Sequence, residues 1–225
     1  MNRPYLSGST LPSVLILNPN SSAPVTEAIA DVVAAFGDIP LNIQVEQIDQ
    51  GPEAIESSED HAIVTPLILR KIQASPDIDA VVIACHGDPG VSAARELGGP
   101  RVLGLGELSM FAASSIGGKF GIITLSNGLI DRKRLQVSRY GLKDRCSGIS
   151  ASNTGIMHGL SDAPDIRPYV EAGADLIKSG ATSVILGCAG MVRVQYAVQH
   201  ELGVPVIEPV RTAIGVVLGL FGKSK

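Results

Sequence analysis

VVIACHGDPG at residues 81–90 and SVILGCAGM at residues 183–191 decide how this chain is built. In each, an apolar run of strand length breaks at a cysteine, Cys85 or Cys188, next to glycine. Short continuous apolar runs fit strands covered on both faces, as in a parallel sheet. A thiol at the end of such a strand stands where a helix can begin and where backbone N–H groups can meet a ligand.

Outward from these motifs the pattern repeats. Before Cys85 come a strand at Val14 to Leu17, the polar turn Asn18-Pro19-Asn20-Ser21-Ser22 able to cap a helix from Pro24 to Gly37, and an alternating strand at Leu41, Ile43 and Val45. Ser57 to Ile72 reads as a helix opened by a capping box of Ser57 with Asp60, with Pro66 expected to kink it or move its start. After Cys85, Asp88 and Pro89 are expected to begin a helix that Gly98-Gly99-Pro100 stops, and Arg101 to Leu105 is a strand. The second half gives strand Phe120 to Thr124, a helix around Gly128 to Tyr140, a short strand near Ser147 and a helix from about Ala163 to Ser179. Strand Ser183 to Leu186, a helix to Leu202 and strand Val204 to Ile207 complete it.

Strands alternating with helices predict a parallel α/β fold. VLILNPNSS lies over FGIITLSNG, VVIACHG over VILGCAG, and GPRVLGLGE over GVPVIEPV. The spacings agree: Asn18 to Cys85 is 67 residues and Ser126 to Cys188 is 62. So long a repeat predicts two pseudo-symmetric parallel-sheet α/β domains with an active-site cleft between them and one cysteine on each wall. The expected domains are residues 1–106 plus 208–225, completed by the C-terminal helix, and residues 107–207.

Composition narrows the partner. Aromatic residues are 4% of the 225, with no Trp, so base-stacking platforms are not expected. A net charge of −4 without a run of Lys or Arg argues against nucleic acid and against a basic membrane-binding face, leaving a small-molecule substrate. Residues 1–13 are polar and Pro-interrupted, read as a loose arm rather than a signal peptide, and the apolar tail from Thr212 to Gly222 is too short to span a bilayer. Three cysteines, an odd number, fit free thiols in a reducing compartment, so the protein is expected to be cytoplasmic.

Two matched thiols suit proton transfer at carbon. Inverting a carbon acid needs a base on one face and an acid on the other, and a thiolate with a thiol supplies both. A free thiol titrates near pKa ~8.5, so modest tuning ionises one partner. A helix following each cysteine would favour thiolate through its N-terminal N–H groups. Asp88 works against this near Cys85, which makes Cys188 the thiol expected to ionise more readily. Charge developing on a substrate carbonyl needs preorganised donors. The candidates are the backbone at His86, Gly87, Ala189 and Gly190 and the strand-end residues Asn18, Asn20, Thr124, Ser126 and Asn127. No cofactor is called for.

The segments LNPNSS (17–22), GPEAIES (51–57), ACHGDPG (84–90), FGIITLS (120–126), YGL (140–142) and LGCAGM (186–191) together resemble the aspartate/glutamate racemase superfamily, and within it the hydantoin and allantoin racemases. The likeness runs through nearly the whole chain. It implies a cofactor-independent isomerase in which Cys85 and Cys188 are the acid/base pair and Asn18 meets substrate, working as a homo-oligomer. His86 departs from the family's pattern and bears on substrate choice. Other reactions of the superfamily, namely amino-acid racemisation, maleate isomerisation and arylmalonate-type decarboxylation, are alternatives, and a non-catalytic small-ligand-binding protein is another.

Blander readings go with these. Cys146 in KDRCSG has no counterpart in the repeat and is read as incidental. No CxxC or HxxxH spacing supports a metal site. Gly104-Leu105-Gly106 lacks the third glycine of a dinucleotide fingerprint and is read as a turn. Glu107 and Glu208 end matching strands, where each could cap a helix or meet substrate.

Overall fold

The computed structural model describes residues 11–222; most of the expected N-terminal arm lies outside them. The chain divides into two compact units, one running to Leu105 and resuming at Ala213, the other Gly106–Thr212. In the first, β1 (Ser13–Asn18), β2 (Asn42–Gln47), β3 (Ala80–Ile83) and β4 (Arg101–Gly104) form a parallel sheet in the order β2-β1-β3-β4. In the second, β5 (Lys119–Thr124), β6 (Cys146–Ala151), β7 (Ala181–Leu186) and β8 (Val206–Ile207) repeat it as β6-β5-β7-β8, again parallel. The α/β class and the two-fold repetition are those the sequence motifs imply.

Helices join the strands: α1 (Ala23–Ala34), α2 (Ser58–Gln73) and α3 (Val91–Glu96) early, then α4 (Leu105–Ser115), α5 (Ile130–Arg139), α6 (Arg167–Lys178), α7 (Gln195–Leu202) and α8 (Pro209–Phe221). Every residue of β3 is buried, as its unbroken apolar run requires. Val64, Ile68 and Ile72 of α2 recur on one helix face and pack with Leu15, Leu17, Val81 and Ile83. The second core gathers Tyr169 and Leu176 of α6 with Ile123, Val184 and Leu186. Gly121 of β5 belongs there because a Cβ on it would stand 2.8 Å from Leu176 Cβ.

Several local expectations change. The helix after Cys85 begins at Val91, not at Pro89, because Asp88 (φ 52°) and Gly90 (φ 70°) are both left-handed. Asp88 is therefore no N-cap, and α3 is too short and too far along the chain to direct its N-terminus at Cys85. After Cys188 a 3-10 segment, Ala189–Val194, precedes α7. Pro66 lies within an uninterrupted α2, whose capping box of Ser57 and Asp60 is formed in both directions. Ser22 is the N-cap of α1, yet its side chain makes no capping bond. Helix α6 starts at Arg167 rather than Ala163. Gly104-Leu105-Gly106 is not a turn: β4 passes straight into α4, a helix missing from the sequence reading. Helix α4 belongs to the second unit, where Met110 and Ala113 pack with Phe120 and Ile122, while α8 from Ala213 onward belongs to the first.

Candidate active site

Strand register defines the equivalence of the two cysteines. Leu17 pairs with Ile83 and Ile123 pairs with Leu186, so each cysteine lies two residues past the last paired position of its strand. The intervening residue is held by one more bond: Ala84 N–H donates to Leu17 O (2.8 Å) and Gly187 N–H to Ile123 O (2.7 Å). Both thiols are partly buried and free of disulfides. The same register makes Asn18 the mate of Thr124 and Asn20 the mate of Ser126.

In the first unit the β1–α1 loop is internally bonded. Asn18 and Asn20 are buried, and Asn18 Nδ2 donates to Asn20 Oδ1 (2.8 Å) and Thr26 Oγ1 (2.9 Å), while Asn20 Oδ1 accepts from Ser22 N–H (2.9 Å). These asparagines shape the loop at the end of the strand beside Cys85. His86 is buried, and a Cβ on Gly87 would meet the His61 imidazole at 2.7 Å, so a side chain there would have to displace that ring. His61 lies in the first turn of α2 and was not foreseen. Nothing in its local sequence indicates that it reaches a loop 24 residues or more along the chain.

In the second unit, Cys188 Sγ accepts the Gly190 N–H at 3.3 Å, a bond that favours thiolate. Ala189 and Gly190 are both buried. Thr124, fully buried at the end of β5, has a hydroxyl with no hydrogen-bond partner among the described residues, an unusual state that suits a ligand contact. Ser126 is half-buried and Asn127, at the start of a 3-10 turn, is exposed. Tyr169 and its hydrogen-bond partners also escaped the sequence reading. Tyr169 is buried against Cys188, with its hydroxyl 3.3 Å from Thr154 Oγ1 and 3.1 Å from His158 Nδ1. Burial holds its phenol above the usual range, the Thr154 hydrogen bond opposes this, and the charge of Cys188 adds to it.

Acidic groups stand at equivalent strand ends in both units. Gly104, paired with Ile83, has the Asp88 carboxyl 2.7 Å from where its Cβ would be. Glu208 takes the corresponding place after Ile207, only 1% exposed, and its carboxyl accepts the N–H of Val210 (2.8 Å) and Arg211 (2.7 Å) at the start of α8. Burial lifts it to about 7 against the pull of those bonds and of Arg211. Glu208 thus caps its helix, whereas Glu107 falls inside the first turn of α4. Burial also raises the Cys146 thiol, against a hydrogen bond to Gly148 O and the charge of Lys119. Among the described residues no cluster of three or more His, Cys, Asp or Glu could hold a metal ion, and no helix is long and apolar enough to cross a membrane.

Comparison with known proteins now gives the chemistry a family. The Asp/Glu/hydantoin racemase pattern matches residues 14–217. The chain belongs to the Asp/Glu/hydantoin racemase family. A hydantoin racemase of Paenarthrobacter aurescens is 34% identical over 208 residues, covering 89% of this chain and 87% of that protein. The allantoin racemase of Klebsiella pneumoniae superposes with a TM-score of 0.83 at 29% identity, covering 93% of this chain and 87% of that one. A glutamate racemase of Bacillus anthracis shares the fold, with a TM-score of 0.68 at 20% identity and coverage of 93% and 81%. The enzyme class of this family member is isomerase, of the racemase type.

Proposed function

We propose that this racemase inverts 5-substituted hydantoins or allantoin without a cofactor, using Cys85 and Cys188 as its acid/base pair. One thiolate takes the proton from the carbon beside the carbonyl, and the other thiol returns a proton to the opposite face. For the mirror-image substrate the roles exchange. The observation that carries this reading is the register: both thiols emerge two residues past equivalent paired positions in two copies of one sheet, with glycine two residues further on. The substrate class comes from the named relatives, a hydantoin racemase and an allantoin racemase.

The orphaned Thr124 hydroxyl and the backbone at His86, Gly87 and Ala189 are the proposed contacts for the substrate's carbonyl and amide groups, with Asn18 and Asn20 holding the loop beside them. The enzyme is proposed to work in the cytoplasm as a homo-oligomer. Optical rotation of enantiopure 5-substituted hydantoins and allantoin is expected to decay with the wild-type enzyme and to gain solvent deuterium at the inverted carbon. Cys85→Ser and Cys188→Ser should each slow this by about 10²–10⁴-fold, the usual worth of a positioned acid or base. Undiminished turnover in both variants would sink the two-cysteine assignment, and a panel with aspartate, glutamate, maleate and arylmalonates would redirect the substrate class.

A further inference from the structure

An asparagine amide has an acceptor oxygen and a donor nitrogen, and its neighbours decide which of the two faces outward. In the β1–α1 loop that choice is fixed by a chain of bonds. Gln47, the last residue of β2, donates from Nε2 to Asp49 Oδ1 (2.8 Å) and Ser21 O (3.4 Å), a carboxylate and a carbonyl that accept only. Its Oε1 is thereby turned to Thr26, whose hydroxyl donates to it at 2.8 Å, with Ser22 O as the other acceptor at 3.1 Å. Having given its proton to one of these, Thr26 meets Asn18 with a lone pair. Asn18 accordingly points Nδ2 at Thr26 Oγ1 (2.9 Å) and Asn20 Oδ1 (2.8 Å), while its Oδ1 accepts the Asn20 N–H at 3.3 Å.

The last link is Asn20. Its Oδ1 receives two donors, Asn18 Nδ2 and the Ser22 N–H (2.9 Å), so turning the amide over would set nitrogen against both. Only Nδ2 is left to face outward. Asn20 is 6% exposed, and its Nδ2 donates to no group among the described residues. It is not one of the wholly enclosed atoms without a partner, so it keeps a path to the surface. A nearly buried donor that no protein group satisfies needs a ligand or water to take its bond. The segment after β2 keeps the loop from closing over it: Ser21 N–H donates to Pro52 O (3.0 Å), and a Cβ on Gly51 would stand 2.9 Å from Pro19 O.

We propose that Asn20 is a substrate-binding residue of donor-only character, whose Nδ2 takes a carbonyl oxygen of the ligand and cannot recognise an N–H group. Its loop leaves the sheet at the end of β1, next to the strand end that presents Cys85, because Ala84 N–H donates to Leu17 O. Its register mate Ser126 carries a hydroxyl, which either donates or accepts; the amide in the first unit has no such choice. Loss of a proton beside a carbonyl builds negative charge on that oxygen, and a donor already held in place stabilises the charge without reorganising. That the carbonyl belongs to a hydantoin or allantoin ring rests on the racemase reading above; the polarity of Asn20 does not.

Nuclear magnetic resonance of wild-type protein carrying isotopically labelled asparagine tests the polarity with no substrate present. The Asn18 side-chain amide protons, both bonded, are expected to exchange with solvent at least about tenfold more slowly than those of Asn20. Adding hydantoin itself, which is achiral and needs no turnover to be seen, should then shift the Asn20 pair downfield. Asn20→Asp separates binding from loop structure, because it keeps the oxygen that Asn18 and Ser22 bond and changes only the outward atom from donor to acceptor. Assayed above pH ~8, where a carboxyl is ionised, it should lower kcat/KM by about 10²–10³-fold while circular dichroism reports a parental fold. An Asn20 pair as protected as that of Asn18, an Asn20 pair unmoved by saturating hydantoin, or a folded Asn20→Asp variant with parental kcat/KM overturns the proposal. Wild-type protein whose Asn20 pair shifts with hydantoin but which racemises nothing would count against the racemase reading alone.

Discussion

Gly187 shows how closely the backbone is packed where a thiol is presented. A Cβ there would stand 2.5 Å from Ile123 O, the carbonyl to which Gly187 itself donates, so neither partner can yield without moving the strand. Its mate in the first unit is Ala84, where a methyl group fits. Gly187→Ala is expected to cost about 1–3 kcal/mol, the range for overpacking a core, measured by urea unfolding, and to lower turnover by shifting Cys188. Glu208 gives a second residue-scale prediction. Its folded carboxyl titrates at about 7 against an ordinary 4.5, so folding favours its protonated form. The stability this confers is fully present below pH 4.5 and is lost as pH rises to about 7. At roughly 1.4 kcal/mol per pKa unit the loss is ~3 kcal/mol, and Glu208→Gln should flatten that part of the stability-against-pH curve. A curve as steep in the variant as in the parent would refute it.

Helix α2 carries His61 to the loop that holds Gly87. Ser57 and Asp60 bond each other's backbone at its start, so Ser57→Ala should cost about 1 kcal/mol in chemical denaturation. Pro66 sits inside the same helix without ending it. The packing of Val64, Ile68 and Ile72 against the sheet keeps the helix continuous despite the missing N–H. Pro66→Ala should therefore raise stability by about 2 kcal/mol, most of the usual penalty for a helical proline less its effect on the unfolded chain. Strands β1, β3, β5 and β7 and the capping box were legible because apolar runs and cap pairs are local signals. Helix α4 was missed where GLG looked like a turn, and α3 was started too early because Asp88-Pro89 imitates a helix entry while the backbone there is left-handed. The strand-end placement of both cysteines and of Thr124 was legible; the packing of His61 against Gly87 and of Ile156 and Tyr169 near Cys188 was not, since those contacts join segments far apart in the chain.

At the scale of the whole molecule, the chain closes its first unit with its last helix. Ala213, Ile214, Val217 and Phe221 are buried, and they belong to the unit that begins the chain. Removing residues 213–225 would take away three large buried apolar side chains, Ile214, Val217 and Phe221, each worth roughly 2 kcal/mol, out of a total stability of about 5–15 kcal/mol. The truncated protein is expected to lose cooperative unfolding of the first unit, seen as a diminished transition by circular dichroism; an unchanged midpoint would contradict this allocation. By itself the sequence determined the alternation of strands and helices, their duplication and the place of each thiol at a strand end, because periodicity and glycine placement act over a few residues. Only the tertiary structure decided that β4 runs straight into α4, that Glu208 is buried, and that the His61 imidazole stands beside Gly87 where Ile156 stands beside Gly190. Those outcomes depend on burial and contact between segments far apart in the chain, and no local pattern encodes which distant side chain will fill the space beside a glycine.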